Sequence, residues 1–356
     1  GLSGADEDIF VCYPSSLGTI TACEYSTELY FDGSTWGLEI EDIHGINLIS
    51  TGPVPTFTPS PTSIATTTPS PTNTPTPGPS LTPTLTPTIT PTHDSVIFVG
   101  AGDISACTND HDEETAQLID NIPGYVYNLG DNVYPDGTLE EYNNCYDPTW
   151  GRFKDRTYPS AGNHEYQTPG AAGYFSYFGT DAGDPTEGYY SFDLGEWHII
   201  VLNSNCGDVG GCDADDPQGQ WLQADLAANP STCTLAIMHH PLYSSNGGGY
   251  SRVQSFWEVL YQAGADLVLS GHQHNYERFA LQDPNGLAAP GRGIREFVVG
   301  TGGYSLFPSN WPQILPNSEV RDSDTYGVLK LSLNPSSYDW EFVPVAGQTF
   351  TDSGSD

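Results

Sequence analysis

Five times along this sequence an apolar run ends in a polar block built from the side chains that bind metal ions. Ser95–Ala101 runs into Gly102-Asp103-Ile104-Ser105, Tyr125–Leu129 into Gly130-Asp131-Asn132-Val133-Tyr134, and Thr157–Ala161 into Gly162-Asn163-His164-Glu165. Thr234–Met238 runs into His239-His240-Pro241, and Asp266–Ser270 into Gly271-His272-Gln273-His274-Asn275. The donors are carboxylate, amide, phenol and imidazole, with no thiolate among them. That mixture suits iron, zinc or manganese rather than calcium or an iron–sulfur cluster. It holds too many ligands for one tetrahedral ion. Two ions sharing a bridging carboxylate account for the number. Such a pair clamps an in-line displacement at phosphorus and brings the pKa of bound water from about 15.7 to near 7, giving a hydroxide nucleophile.

The elements that must position these blocks are strands. In open α/β sheets, sites form outside the carboxyl ends of the strands, so all five blocks belong to one edge and can converge. Glycine before four of them lets the backbone turn sharply beside the metals. His272 and His274 are two residues apart, which on an extended segment turns both the same way. A tight bend after Ser270 would then deliver one to each ion. Helical patterns over Glu113–Asn121, Gln218–Ala228 and Val253–Ala263 alternate with the apolar runs, which predicts an α/β fold. The strands Glu296–Gly300, Gly327–Leu333 and Ser337–Val343 lack intervening helices and predict an antiparallel portion.

The ordered set GD, GDNxY, GNHE, HxP and GHxH resembles the calcineurin-like metallophosphoesterase superfamily, over essentially all of residues 94–356. Within it the chain is most similar to purple acid phosphatases: Gly271–Arg278 reads GHQHNYER, close to the plant enzymes, and GNHE is shared. The superfamily opens with Asp-x-His, whereas Ser105 stands at the His position here. Tyr134, three residues after Asp131, stands where purple acid phosphatases carry a compensating Tyr. The resemblance implies a four-layer α-β-β-α sandwich. It implies Asp103, Tyr134 and His274 on a ferric ion, Asp131 bridging, and Asn163, His239 and His272 on a second ion of iron, zinc or manganese. His164 would contact the phosphoryl group or protonate the leaving alkoxide. The plant enzymes add a His pair in the loop after HxPWY. Here that loop is Ser244-Ser245-Asn246-Gly247-Gly248-Gly249, so His164 acts alone or His240 substitutes. His240 is expected to face substrate or support the ligands, and Arg278 to support a ligand or substrate. The Gly run predicts a mobile, open loop. Gly300-Thr301-Gly302-Gly303 is expected to allow close backbone approach near the metals. His198 is expected to be structural, and Arg152, Lys154 and Arg156 to form a solvated helix face.

The remainder of the sequence bounds the setting. It has 356 residues, 45 Asp plus Glu against 9 Lys plus Arg, and a net charge of −36. That sign disfavours nucleic acid, whose phosphates need cations to displace their counterions, and an anionic membrane surface. No apolar run approaches the roughly 20 residues that span a bilayer. The substrates expected are small phosphate esters, drawn in by the bound cations against the chain's own charge.

Residues 53–93 are almost entirely Pro, Thr and Ser, ending in LTPT-LTPT-ITPT. Such composition favours extended polyproline II, and reads as a linker or an O-glycosylated stalk. Residues 1–52 show strand-like runs at Asp8–Cys12, Thr19–Cys23, Glu28–Phe31 and Leu38–Glu41, with a turn at Asp32-Gly33-Ser34. They predict a small β module, which resembles the FDGS-containing repeats of bacterial surface proteins. Residues 94–356 are expected to form the catalytic domain. Among seven cysteines, Cys12/Cys23, Cys107/Cys145 and Cys206/Cys212 are spaced for disulfides of an exported protein, leaving Cys233 as a buried thiol.

The chain opens at Gly1 without Met and is expected to be a processed form or a piece of something longer. The leading expectation is an extracellular or cell-surface phosphomonoesterase using a metal-bound hydroxide. Its rivals are a structural subunit of a glycosylated surface fibre, self-assembling through the N-terminal module and stalk, and a phosphodiesterase or nucleotidase with the same metals.

Overall fold

The computed structural model describes residues 9–16 and 22–31 as backbone, and residues 95–109, 111–307 and 311–356 in full. The chain divides into two units, residues 1–85 and 86–356. In the first, β1 (Ile9–Ser16) pairs antiparallel with β2 (Ala22–Phe31). The end of the expected Thr19–Cys23 strand and all of Glu28–Phe31 fall within this one strand. The intervening Glu24-Tyr25-Ser26-Thr27 holds no Gly or Pro to break it. The side chains of Cys12 and Cys23, and with them the expected bridge, are outside what is described, as are the Leu38–Glu41 strand, the 53–93 segment and any self-assembly through them.

The second unit begins with β3 (Val96–Ala101), β4 (Ser105–Ala106), α1 (His111–Asp120), β5 (Tyr125–Asn128), β6 (Val133–Tyr134), α2 (Leu139–Glu141), β7 (Thr157–Tyr158) and α3 (Ala172–Phe178). It continues with β8 (Tyr190–Leu194), β9 (Trp197–Val201), α4 (Pro217–Ala228), β10 (Cys233–Ile237), α5 (Gln254–Ala263), β11 (Leu267–Ser270) and β12 (Tyr276–Phe279). It ends with β13 (Arg295–Val299), β14 (Ser318–Asp322), β15 (Gly327–Asn334), β16 (Ser337–Pro344) and β17 (Ser353–Ser355). Two mixed sheets result, in the orders β17-β16-β15-β3-β5-β7 and β14-β12-β13-β11-β10-β9-β8. The apolar runs predicted as strands form the parallel centres: β3 with β5 and β7, and β9 with β10, β11 and β13. β15 and β16 pair antiparallel, as their lack of intervening helices requires.

The sheets pack face to face through aromatic side chains. Phe98 of β3 reaches Phe192 of β8, Phe297 of β13 meets Trp340 of β16, and Tyr276 of β12 meets Phe342. The outer face of the second sheet is covered by α4 and α5, where Leu222, Phe256, Trp257 and Leu260 bury against Ile200, Ala236 and Val268. α1 lies against β15 and buries Thr115, Ala116 and Ile119. This layering places the carboxyl ends of β3, β5, β10 and β11 on one edge.

Cys107–Cys145 and Cys206–Cys212 are bridged, and Cys233 is a buried free thiol. The cationic stretch lies on a short helical segment, Trp150–Arg156, with Arg152 exposed and Lys154 and Arg156 half-buried. Arg156 donates to the Ile119, Ile122 and Gly124 carbonyls at the end of α1, and Lys154 to the Tyr177 carbonyl. Arg152 alone bridges surface acids, Glu113 and Asp120. The free carbonyls at a helix end attract cations, which the sequence pattern did not reveal.

Candidate metal centre

The five blocks converge. The Tyr134 hydroxyl lies 2.8 Å from Asp103 Oδ1 and 3.2 Å from His274 Nε2. A second cluster joins Asn163 Oδ1 to His239 Nε2 at 3.1 Å, and His239 Nε2 to His272 Nδ1 at 3.2 Å. Asp131 Oδ2 belongs to both: it is 3.1 Å from the Tyr134 hydroxyl and 3.3 Å from His239 Nε2. Asp103, Asp131 and His239 are fully or almost fully buried.

The imidazoles are aimed by backbone carbonyls. His239 Nδ1 donates to the Leu129 carbonyl at 2.7 Å, and His274 Nδ1 to the Ser305 carbonyl at 2.6 Å. Each therefore turns an Nε2 lone pair into the cluster, the usual way a metal-binding histidine is oriented. His272 faces in through Nδ1 instead. Its block is a bend rather than the extended segment expected: His272 has φ +67°, with Asp103 Oδ2 accepting its backbone N–H. Asp103 and Asp131 also have positive φ, +58° and +48°. Such backbone is costly for non-glycine residues and is held where surrounding contacts over-determine it. A Cβ on Gly162 would lie 2.2 Å from Asp131 Oδ1, and one on Gly300 2.7 Å from Asp103 Oδ2, so only glycine permits these approaches.

Among the described residues no Lys or Arg is hydrogen-bonded or ion-paired to the donors. Burial lowers the affinity of His239 for a proton, but the Asp131 and Asp103 charges outweigh it and raise its pKa to about 9. Asp131 is held well below the usual carboxylate range, despite burial, by His239 and His164. Burial and then the His239 charge push His272 down to about 4. Two carboxylates, a phenol and three inward-facing imidazole nitrogens leave lone pairs opposed across about 3 Å. A cation satisfies that arrangement, displacing protons as it binds. The oxygen and nitrogen donor set fits iron, zinc or manganese.

The family model for calcineurin-like phosphoesterases matches residues 92–276, just over half of the chain. The chain belongs to the calcineurin-like phosphoesterase family. Within it the chain is purple acid phosphatase-like. It is 35% identical over 153 residues to purple acid phosphatase 22 of Arabidopsis thaliana, covering 40% of this chain and 34% of that protein. It is 29% identical over 215 residues to purple acid phosphatase 15 of the same plant, covering 50% of this chain and 40% of that protein. The chain thus spans well under half the length of these relatives. The purple acid phosphatase PPD1 from yellow lupin (Lupinus luteus) seeds shares its fold, with a TM-score of 0.58 and 20% identity over 73% of this chain and 53% of that one. Calcineurin-like phosphoesterases use a binuclear metal centre, and the convergent blocks are the candidate for it.

Around the centre stand residues whose part the sequence reading missed. Glu165, the last letter of GNHE, is fully buried. It accepts the backbone N–H groups of Gly162, Asp131 and Asn132 and the Tyr142 hydroxyl, at 2.6, 2.9, 2.8 and 3.0 Å. Glu277 accepts the Ser245 N–H, and Glu296 those of Leu242 and Tyr243. Ser244, Ser245 and Asn246 are consequently buried, and the open loop expected there is anchored through its first half. Tyr304 stacks on Tyr134 at 3.6 Å.

His164 donates Nδ1–H to the Pro135 carbonyl at 2.5 Å and leaves Nε2 4.0 Å from Asp131 Oδ2. His240 packs 4.4 Å from the His272 ring. Arg278 does not join the cluster. Its guanidinium binds Glu319 of the neighbouring strand β14 and reaches Asp352 and Trp340 of the facing sheet. His198 is clamped between Asp193 and Asp225, away from the donor set.

Proposed function

We propose that this chain is the catalytic part of an exported, purple acid phosphatase-like phosphomonoesterase with a two-metal centre. Asp103, Tyr134 and His274 would hold one ion, Asn163, His239 and His272 the other, and Asp131 both. The observation that carries this reading is the position of Asp131 Oδ2, in contact with Tyr134 of one cluster and His239 of the other. When bound, ferric iron with iron, zinc or manganese supplies positive charge for the phosphoryl oxygens and activates the attacking water.

The chain's own residues supply the rest. Burial keeps Asp103 and Asp131 in a medium where their charges act strongly. Glu165 fixes the turn that carries Asp131. His164 leaves 31% of its side chain accessible, whereas His239 and His274 are buried. With Nδ1–H committed to Pro135, its Nε2 is the atom that meets substrate: protonated, it gives its proton to the leaving alkoxide. Two disulfides support an oxidising, extracellular setting. The Pro/Thr composition of residues 53–93 supports a spacer between this domain and the N-terminal unit.

The test is hydrolysis of p-nitrophenyl phosphate by the full chain, with and without a chelator, alongside the visible spectrum and a diester control. Chelator-sensitive monoester turnover with a tyrosinate band is expected. A metal-loaded chain inert to both esters overturns the reading; preference for the diester replaces the monoesterase by a phosphodiesterase.

A further inference from the structure

His240 belongs to a group of three imidazoles, with His239 and His272, that have a ring nitrogen each within 4.8 Å of the others. By position alone it is a further ligand. Its hydrogen bonds say otherwise. Ser204, just beyond β9, accepts the backbone N–H of His240 on Oγ at 3.0 Å. The same Oγ lies 2.8 Å from His240 Nδ1. The Ser204 hydroxyl proton has no other acceptor among the described residues, so it is directed at Nδ1. Nδ1 then accepts, and the ring hydrogen sits on Nε2. A protonated Nε2 has no lone pair to give a metal, but it is a hydrogen-bond donor.

That donor is free. His240 Nε2 has no partner among the described residues and is not among the buried polar atoms sealed from solvent. The ring is fixed from both sides, stacked on Tyr250 at 4.4 Å and packed 4.4 Å from His272. Pre-aimed donors of this kind act on charge that develops in a transition state, at no reorganisation cost.

We propose that His240 is a catalytic residue that donates Nε2–H to a phosphoryl oxygen, with Ser204 as the positioning residue that fixes its tautomer. The proposal deepens the phosphoesterase reading and rests on it.

The test compares the metal-loaded wild type with His240→Ala, His240→Gln and Ser204→Ala. Three quantities are measured: metal content, inorganic phosphate affinity by calorimetry, and kcat and KM for p-nitrophenyl phosphate. His240→Ala is expected to keep both metals, to bind phosphate roughly 10–100-fold more weakly, and to lose about 10²–10³ in kcat. His240→Gln restores an N–H near the same place and should recover most of the phosphate affinity. Ser204→Ala frees the tautomer and should lose part of it.

Phosphate affinity within threefold of wild type in His240→Ala overturns the proposal. Loss of a metal from that variant does so too, by making His240 a ligand. Should His240→Ala not fold, unchanged affinity in Ser204→Ala overturns it. A wild type that binds phosphate through His240 yet hydrolyses no ester refutes the phosphatase and keeps this donor; chelator-sensitive turnover indifferent to His240 does the reverse.

Discussion

Glu165 accepts the backbone N–H of Asp131 at 2.9 Å. The carboxylate that touches both donor clusters is thus held by one that touches neither. Among the described residues no Lys or Arg pairs with Glu165; three backbone N–H groups and the Tyr142 hydroxyl hold it, with the His239 charge nearby. Burial, and then the Asp131 charge, raise its pKa, while the Gly162 and Asn132 N–H groups oppose them. Glu165→Gln presents an amide N–H to groups that are all donors. Supporting residues of this kind typically cost 10–100-fold in metal affinity when changed. That loss is the expected outcome, read as metal per chain after dialysis against graded chelator. Wild-type retention would reduce Glu165 to a packing residue.

Tyr134 makes the sharpest spectroscopic prediction. Its pKa is raised well above that of free tyrosine by burial and by the Asp103 and Asp131 charges. Only a strongly charged cation would hold it ionised there. Tyr134→Phe should therefore abolish any visible tyrosinate band while the Asn163, His239 and His272 cluster keeps its ion. A metal-loaded variant that stays purple would remove Tyr134 from the ligand set.

The Cys107–Cys145 bridge closes a separation of 38 residues that contains Asp131 and Tyr134. The chain-entropy model assigns such a loop about 4 kcal/mol, against about 2 kcal/mol for the six-residue Cys206–Cys212 separation. A Cys107→Ser/Cys145→Ser variant should melt well below a Cys206→Ser/Cys212→Ser variant in thermal denaturation. Equal melting temperatures would mean that native-state contacts, not loop closure, dominate.

Cys233 begins β10, and burial followed by the Asp266 charge pushes its thiol up to about 11. The thiolate is the reactive form, so the native protein should resist iodoacetamide at pH 8. Unfolded without reductant, it should yield one labelled thiol if Cys12 and Cys23 are bridged and three if they are not. Rapid labelling of the native chain would contradict the burial of Cys233.

Much of this site was legible because strand ends concentrate polar residues. Each apolar run that stopped at Asp103, Asp131, Asn163, His239 or His272 is followed on one edge by its donor. What the sequence concealed was support rather than ligation. Glu165, Glu277 and Glu296 act mainly through backbone N–H groups of residues about 30 or more positions away, which leave no spacing pattern. β8 and β14 were missed because most of their residues are only partly buried and charged residues interrupt their apolar positions. The positive φ of Asp103, Asp131 and His272 is likewise invisible in composition, since none of the three is Gly or Asn.

Arg278 shows the same limit from the other side, because GHQHNYER carries it close in sequence to His272 and His274. Its Nε donates to Asp352 at 2.7 Å, its guanidinium also meets Glu319, and the plane lies 5.0 Å from the Trp340 ring centre. Asp352 in turn accepts from the Tyr276 hydroxyl at 2.7 Å. Arg278 thus ties β12 to the residues between β16 and β17. Arg278→Ala leaves Asp352, itself almost fully buried, without its cation. The expected cost is about 2 kcal/mol of stability, measured by urea denaturation, with metal content unchanged and kcat within a few-fold of wild type. Loss of a metal ion in a folded Arg278→Ala chain would return this arginine to the metal centre.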